Sequence, residues 1–425
     1  MNPEPNDKNG PVRESQLQGS SLAASRQRLV WVDAARGVAI LWIMGVHFIS
    51  IWGPPPQFTA YLREFISPHM GLNERLANLL MAGLRLGWQG VDIFVVLSGF
   101  VLTLSYLSET RHRPYVSWLA RRAVRIYPMY WAAIICTIAM FGWSFRRMSF
   151  DWSLIPSRFD IVTHALGLHI LWKSTFFSIC AAWWFIGLIL QLYLAFPIMV
   201  RALVKIGNGR FLFGVTAFFL LTRLAMPQLL AGAEAIEIRG FFGYYALQFG
   251  VGMVLARVWA GDGAGTLVAR IAEHRALLGG LYVVWILAKC FGLGAFLPVP
   301  LATTAIALIC INALRRLEGS VLVAALARIG TYSYELYLIH APLQTRIMGP
   351  SSQQSFAEAS GRLTLHILAL CIGAFVLKRW GTFASSRLLS IARRKEVPDR
   401  VASQAGLGGD GATPGSEPSY QYPKP

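Results

Sequence analysis

The chain has 425 residues, 55% of them hydrophobic and only 14% charged, with a mean hydropathy of +0.49. Soluble domains carry about a quarter charged residues, so a fold wetted on every side is excluded and a polytopic all-α membrane protein is indicated. The long apolar runs lack the period-two alternation of a barrel, and the formal net charge of +18 reads first as lysine and arginine of cytoplasmic loops, not as a nucleic-acid surface.

Residues 1–28 are polar and rich in Ser, Asn, Gln and Pro, which predicts a disordered cytoplasmic tail over 1–30. They contain no apolar core of a signal peptide, so the first hydrophobic segment reads as a retained span. Apolar segments then follow at 31–52, 86–107, 127–145, 181–204, 211–230, 241–259, 276–293, 296–314, 331–349 and 363–380, about ten transmembrane helices within a membrane domain over 31–392. The stretch "IVTHALGLHILW" (161–172) is too short to cross and reads as a re-entrant or interfacial piece. A second disordered tail is expected over 393–425.

An even number of spans puts both tails on one side. Placing them in the cytoplasm puts the basic stretches 111–125, 201–210, 315–316 and 378–395 inside. The loops left outside, 53–84, 146–180, 231–240 and 350–361, are sparser in Lys and Arg, which favours an N-in, C-in orientation. The pair "WW" (183–184) then falls at the outer interface, where tryptophan is favoured. No inverted internal repeat is evident.

Several ionisable side chains sit where lipid makes them expensive. In "RGVAILWIMGVHF" (36–48), Arg36 and His47 are eleven residues apart, almost three helical turns, so both fall on nearly one face, roughly 16 Å apart. Span two, "GWQGVDIFVVLSGF" (87–100), buries Asp92; counted inward from Arg85 it lies at a depth comparable with His47, where its carboxylate would orient the imidazole. In the same span Ser98 and Gly99 mark either close helix packing or a small-residue gap for an acyl chain. "RRAVRIYPMYW" (121–131) sets Arg122 and Arg125 on one helical face ahead of Pro128, at the expected level of Arg36. Guanidinium groups suit phosphate oxygens, so an anion pocket on the cytoplasmic side is favoured over a plain topology anchor. "GTYSYELYLIHAPL" (330–343) carries Ser333, Tyr337 and His340 on neighbouring faces of span nine. The five cysteines, Cys136, Cys180, Cys290, Cys310 and Cys371, form no CxxC or metal-type spacing, so neither a disulfide framework nor a metal site is expected. No Walker loop, dinucleotide fingerprint, HExxH or GxSxG elbow stands in usable context.

In order and spacing, "DAARGVAILWIMGVHF", "GWQGVDIFVVLSGFVL", "RRAVRIYPMYW", "WWFIGLILQLYLAFP" and "GTYSYELYLIHAPL" resemble the membrane-bound acyltransferase 3 family over roughly residues 31–380. The resemblance implies ten or so helices, a cytoplasmic acyl-CoA donor and an acceptor hydroxyl on the far side. Its Arg-x10-His pair falls on Arg36 and His47, and its RxxR motif on Arg122 and Arg125. Many members read Trp-Ser-Leu-x-x-Glu-Glu-Gln-Phe-Tyr in the fourth span; here Ile189 and Leu190 occupy the acidic places, leaving Gln191 and Tyr193. The soluble hydrolase-like domain that some members carry after the membrane region is not expected.

The expected function is thus O-acyl transfer, most simply acetyl transfer from acetyl-CoA, to a carbohydrate such as a surface polysaccharide, lipopolysaccharide or related glycan, free or lipid-linked. It would take place in the cell's inner membrane, without metal or nucleic acid. Arg36, Arg122 and Arg125 would hold the CoA phosphates. His47, oriented by Asp92, would be general base or acyl carrier. Ser98, Tyr337 and His340 are further candidates. The rivals are a transporter or flippase of a glycan or small anionic substrate, which predicts paired broken helices in two similar halves, and a glycan polymerase or ligase, which predicts a long late loop.

Overall fold

Apolar residues at helical spacing wind most of the chain into α-helix, the structure that satisfies its own backbone in lipid. The computed structural model describes residues 29–50, 58–67, 69–109, 114–144, 148–290, 299–349 and 356–405. Most of the expected N-terminal tail, residues 406–425 of the C-terminal one and the start of the expected first outer loop lie outside these residues.

The elements are α1 (Val30–Ile49), α2 (Phe58–Ile66), α3 (Leu72–Arg85), α4 (Gly90–Leu107), α5 (Tyr115–Gly142), α6 (Arg158–Leu166), α7 (Trp184–Ile206) and α8 (Asn208–Leu229). They continue as α9 (Ala246–Glu273), α10 (Arg275–Cys290), α11 (Val299–Arg316), α12 (Val321–Gly330), α13 (Ser333–Met348) and α14 (Phe356–Ala405). A two-residue antiparallel pair, Trp143–Ser144 with Ser149–Phe150, closes the end of α5. Among the described residues, six helical stretches are long and apolar enough to cross a membrane: Val30–Ile49, Leu72–Leu107, Tyr115–Gly142, Ala181–Ile206, Asn208–Leu229 and Ser360–Ser390. The other expected spans fall on α9, α10, α11 and α13.

In lipid, helix association rests on close packing, and small residues decide where backbones meet. Gly99 of α4 lies against the backbone of Phe249 and Met253, and Gly252 of α9 against Val96 and Phe100, so these two helices touch main chain to main chain. Gly37 and Gly330 do the same for α1 and α12, through Leu326 and Asp33. Of the two readings of "LSGF", close packing therefore holds at Gly99. Aromatic side chains fill the space around these contacts: Trp31 meets Phe100 at 5.2 Å and Trp259 at 5.6 Å between ring centres.

Three local expectations change, at 72–85, at the end of α14 and at Trp183, and the short 161–172 piece takes its form. Residues 72–85, assigned to an outer loop, form α3, an amphipathic helix that exposes Leu72, Leu76, Leu79 and Leu80. It joins α4 through a 3₁₀ turn at Gly87–Gln89, where Gly87 presses on Trp42. The 161–172 piece is α6, nine residues ended by Gly167 at φ 72°, then a 3₁₀ turn at His169–Leu171. Helix α14 runs on to Ala405, into the expected tail, because "IARRKE" is rich in good helix formers. Trp183 is no interfacial anchor. It is fully buried, and its Nε1 donates to the Leu338 carbonyl at 3.0 Å, which ties the start of α7 to α13.

Candidate active site

Two polar clusters lie along α1. The first surrounds Arg36, in its second turn, whose Nη1 donates to Asp33 Oδ1 at 3.2 Å. The Arg122 guanidinium on α5 sits over the rings of Trp118 and Tyr193, at 5.5 and 5.9 Å. Arg36, Arg122 and Arg125 lie within Coulombic range of one another. Glu335 of α13, buried, lies within such range of Arg125 and of Lys378 on α14. Lys378 Nζ donates to the Thr331 carbonyl and stands 3.9 Å from the centre of the Tyr332 ring. The Tyr334 hydroxyl donates to the Ile126 carbonyl at 2.9 Å and fixes α13 beside α5. Four cations thus share three carboxylates, Asp33, Glu335 and Glu109, and the surplus suits an anion. Beside Arg122 a groove opens between the end of α4, the start of α5 and α7, lined by Tyr106, Glu109, Trp118, Phe196 and Arg201 among others.

The second cluster lies eleven residues further along α1, a rise of roughly 16 Å. His47 is half-buried in the last turn, and its ring centre is 5.1 Å from that of His340, with the planes at 59°. His340 is fully buried. Its Nδ1 reaches the carbonyls of Tyr337 at 2.8 Å and Leu336 at 3.2 Å. Carbonyls only accept, so the hydrogen bonds assign the proton to Nδ1 and leave a lone pair on Nε2, which has no partner among the described residues. A neutral imidazole with a bare nitrogen beside a second imidazole is equipped to take a proton or an acyl group.

Asp92 is not part of this pair. It accepts from Gln248 Nε2 of α9 at 2.9 Å, and Thr303 of α11 also bonds it. Gly90 lies against Ala39 and Ile43, which sets Asp92 well below His47 along α1, by about 12 Å counted from Ala39. The expectation that its carboxylate orients His47 is corrected: it ties α4, α9 and α11 together. Tyr337 stands 5.7 Å from the His340 ring, but its hydroxyl donates to the Ala182 carbonyl and so holds the turn before α7. Ser98 is half-buried on α4. Ser333 is buried at the start of α13.

Glu335 and Lys378 join the site although sequence motifs single out neither. Glu335 lies within "GTYSYELYLIHAPL", and an acidic residue inside an apolar helix was the available signal. Lys378 counted only as part of a basic end.

Backbone bonds join the segment after His169–Leu171 to the loop before α9: Lys173 N–H donates to Ala235 O at 3.0 Å and Glu237 N–H to Leu171 O at 2.9 Å. Arg239 grips Glu237 with both arms of its fork, at 2.8 and 2.6 Å, and holds that carboxyl below the usual range. Nearby, His164 and His169 stack at 4.0 Å, and burial pushes their imidazoles down to about 4 and about 3.

The model of a family of acyltransferase domains, acyltransferase 3, matches residues 29–378. The chain belongs to the acyltransferase 3 family. The family is one of acyltransferase domains, and the match spans both polar clusters. A regulator of hypoxia-inducible factor 1 from Caenorhabditis elegans is 28% identical over 194 residues, which cover 43% of this chain and 36% of that protein. The aligned part is thus about a third of that relative's length. No solved structure matches the chain. At the acidic places of the acyltransferase 3 pattern, Ile189 is buried in the apolar core and Leu190 packs on Gly167. Gln191 clasps the loop before α9, with Nε2 donating to Gly240 O and Oε1 accepting from Phe242 N–H, each at 3.1 Å.

Proposed function

We propose that the protein transfers an acyl group, acetyl in the simplest case, from cytoplasmic acyl-CoA to a hydroxyl of a carbohydrate such as a surface polysaccharide, lipopolysaccharide or related glycan. The observation that carries the reading is the pair of clusters on α1: cations at one end and two imidazoles at the other, at a separation that an extended pantetheine arm bridges. Arg36, Arg122 and Arg125 bind the phosphates, with Lys378 adding positive potential. The pantetheine arm then runs toward His47.

Two steps are open to His47. As base it takes the acceptor's hydroxyl proton while the oxygen attacks the thioester carbon, the C–S bond breaks and CoA leaves as a thiolate that is then protonated. As carrier it accepts the acyl group first and passes it to the hydroxyl. His340, with its bare Nε2, takes the partnering role first assigned to Asp92.

Orientation follows from where the cations gather. Arg315 stands 4.8 Å from the Trp259 ring, which packs on Trp31 at the start of α1, and Arg257 donates to Leu203 near the end of α7. These lie at the Arg36 end. The positive-inside rule makes that end cytoplasmic and supports an N-in, C-in arrangement of ten spans in the inner membrane. Mass spectrometry of surface glycans tests the function: the intact protein adds one acyl mass per modified unit and His47→Ala does not. Full acylation with His47→Ala refutes it.

A further inference from the structure

Beyond His340, away from the arginines, α13 and α14 bury polar groups that the steps above leave unused. Gln344 follows His340 by one helical turn, on the same face of α13. Arg362 Nη1 reaches the Met348 carbonyl at 3.4 Å, and Gly373 lies against Ile339 and Leu343, so the helices run antiparallel with His366 level with Gln344. His366 is also within Coulombic range of His340. Gln344 is 3% exposed and His366 5%.

Three atoms here have no hydrogen-bond partner among the described residues: His340 Nε2, Gln344 Nε2 and His366 Nδ1. Buried polar groups are ordinarily satisfied, so three orphans on adjoining helix faces, next to half-buried His47, mark a place built for a polar occupant. Their chemistry narrows the occupant. The Gln344 amide donates, His340 Nε2 accepts, and His366 Nδ1 does either according to its tautomer. Hydroxyl groups, which donate and accept at once, match that mixture; an anion meets the fixed lone pair of His340 Nε2, and the neighbouring Arg362 is already paired with Glu358.

We infer that Gln344 and His366, together with His340, bind the hydroxyl-bearing ring of a sugar acceptor and set which hydroxyl meets His47. The inference rests on the acyl-transfer reading above and adds where the acceptor sits.

The test uses membranes carrying the full chain, radiolabelled acetyl-CoA, and glycan extracted from the host envelope, each titrated in turn. Gln344→Leu and His366→Leu raise the half-saturating glycan concentration about tenfold, while half-saturating acetyl-CoA stays within about twofold. His366→Gln, which keeps a donor and an acceptor, restores most of the glycan saturation and serves where His366→Leu fails to fold. A packing role lowers only the yield of active protein. Unchanged glycan saturation in both variants, or a parallel rise for glycan and acetyl-CoA, overturns this inference alone. If the wild-type protein moves no label to glycan, the acyl-transfer reading falls, and this one with it.

Discussion

Replacing Asp92 by alanine separates a structural carboxylate from a catalytic one. In the structure Asp92 is 4% exposed, and Gln248 Nε2 donates to it at 2.9 Å. The substitution orphans the Gln248 amide, a loss of about 1–3 kcal/mol for a buried polar group by soluble-protein values. Interhelical hydrogen bonds in membranes average nearer ~0.6 kcal/mol and reach ~1.7 kcal/mol, so we expect about 1–2 kcal/mol. A carboxylate that oriented the catalytic imidazole would instead carry about 10²–10⁴ in rate. The assay pairs thermal unfolding of purified protein with the initial rate of acyl transfer per folded molecule. We expect Asp92→Ala to melt a few degrees lower and to keep its transfer rate within about threefold. An unchanged melting temperature with a hundredfold slower rate, on the order of a lost general-base partner, would refute the placement of Asp92 outside the site.

Three further outcomes follow from the geometry. Arg122→Lys keeps the charge but loses the planar fork over the Trp118 and Tyr193 rings; half-saturating acyl-CoA rises about tenfold, with the rate at saturation preserved in steady-state kinetics. Gly330→Leu drives a side chain into the Asp33 carbonyl of α1, a main-chain clash that cannot relax, and costs more than about 4 kcal/mol, seen as loss of monodisperse protein on size exclusion. Burial lowers the folded-state values of His164 and His169 to about 4 and about 3, so the unfolded chain binds protons first. Stability is therefore full above the unfolded histidine value of about 6.5 and falls as pH drops from there toward 4 and 3; His164→Gln with His169→Gln flattens that slope in melts taken across pH.

Much of the site could be read from α1 and α5 alone, because spacing along one helix fixes both face and rise. Arg36 to His47 and Arg122 to Arg125 needed nothing more. What depended on the register between helices was harder. The depth of Asp92 was counted from Arg85 as though that residue marked the membrane edge. Amphipathic α3 continues before Arg85, and Gly87 and Gly90 let α4 settle against Trp42 and Ala39, which shifts Asp92 away from His47. Trp183 misleads for a related reason: an interfacial tryptophan and one bonded to a helix distant in sequence look alike. Glu335, Lys378, Gln344 and His366 meet their neighbours only once α13 and α14 pack, and no local periodicity reports that pairing.

The most direct test of the account is a cryo-EM map of the protein with a non-hydrolysable thioether analogue of acetyl-CoA. Nucleotide phosphates are expected between Arg36, Arg122 and Arg125, with the acyl end reaching the His47–His340 pair. Density that places the phosphates elsewhere, or leaves the acyl end beside Asp92, contradicts it.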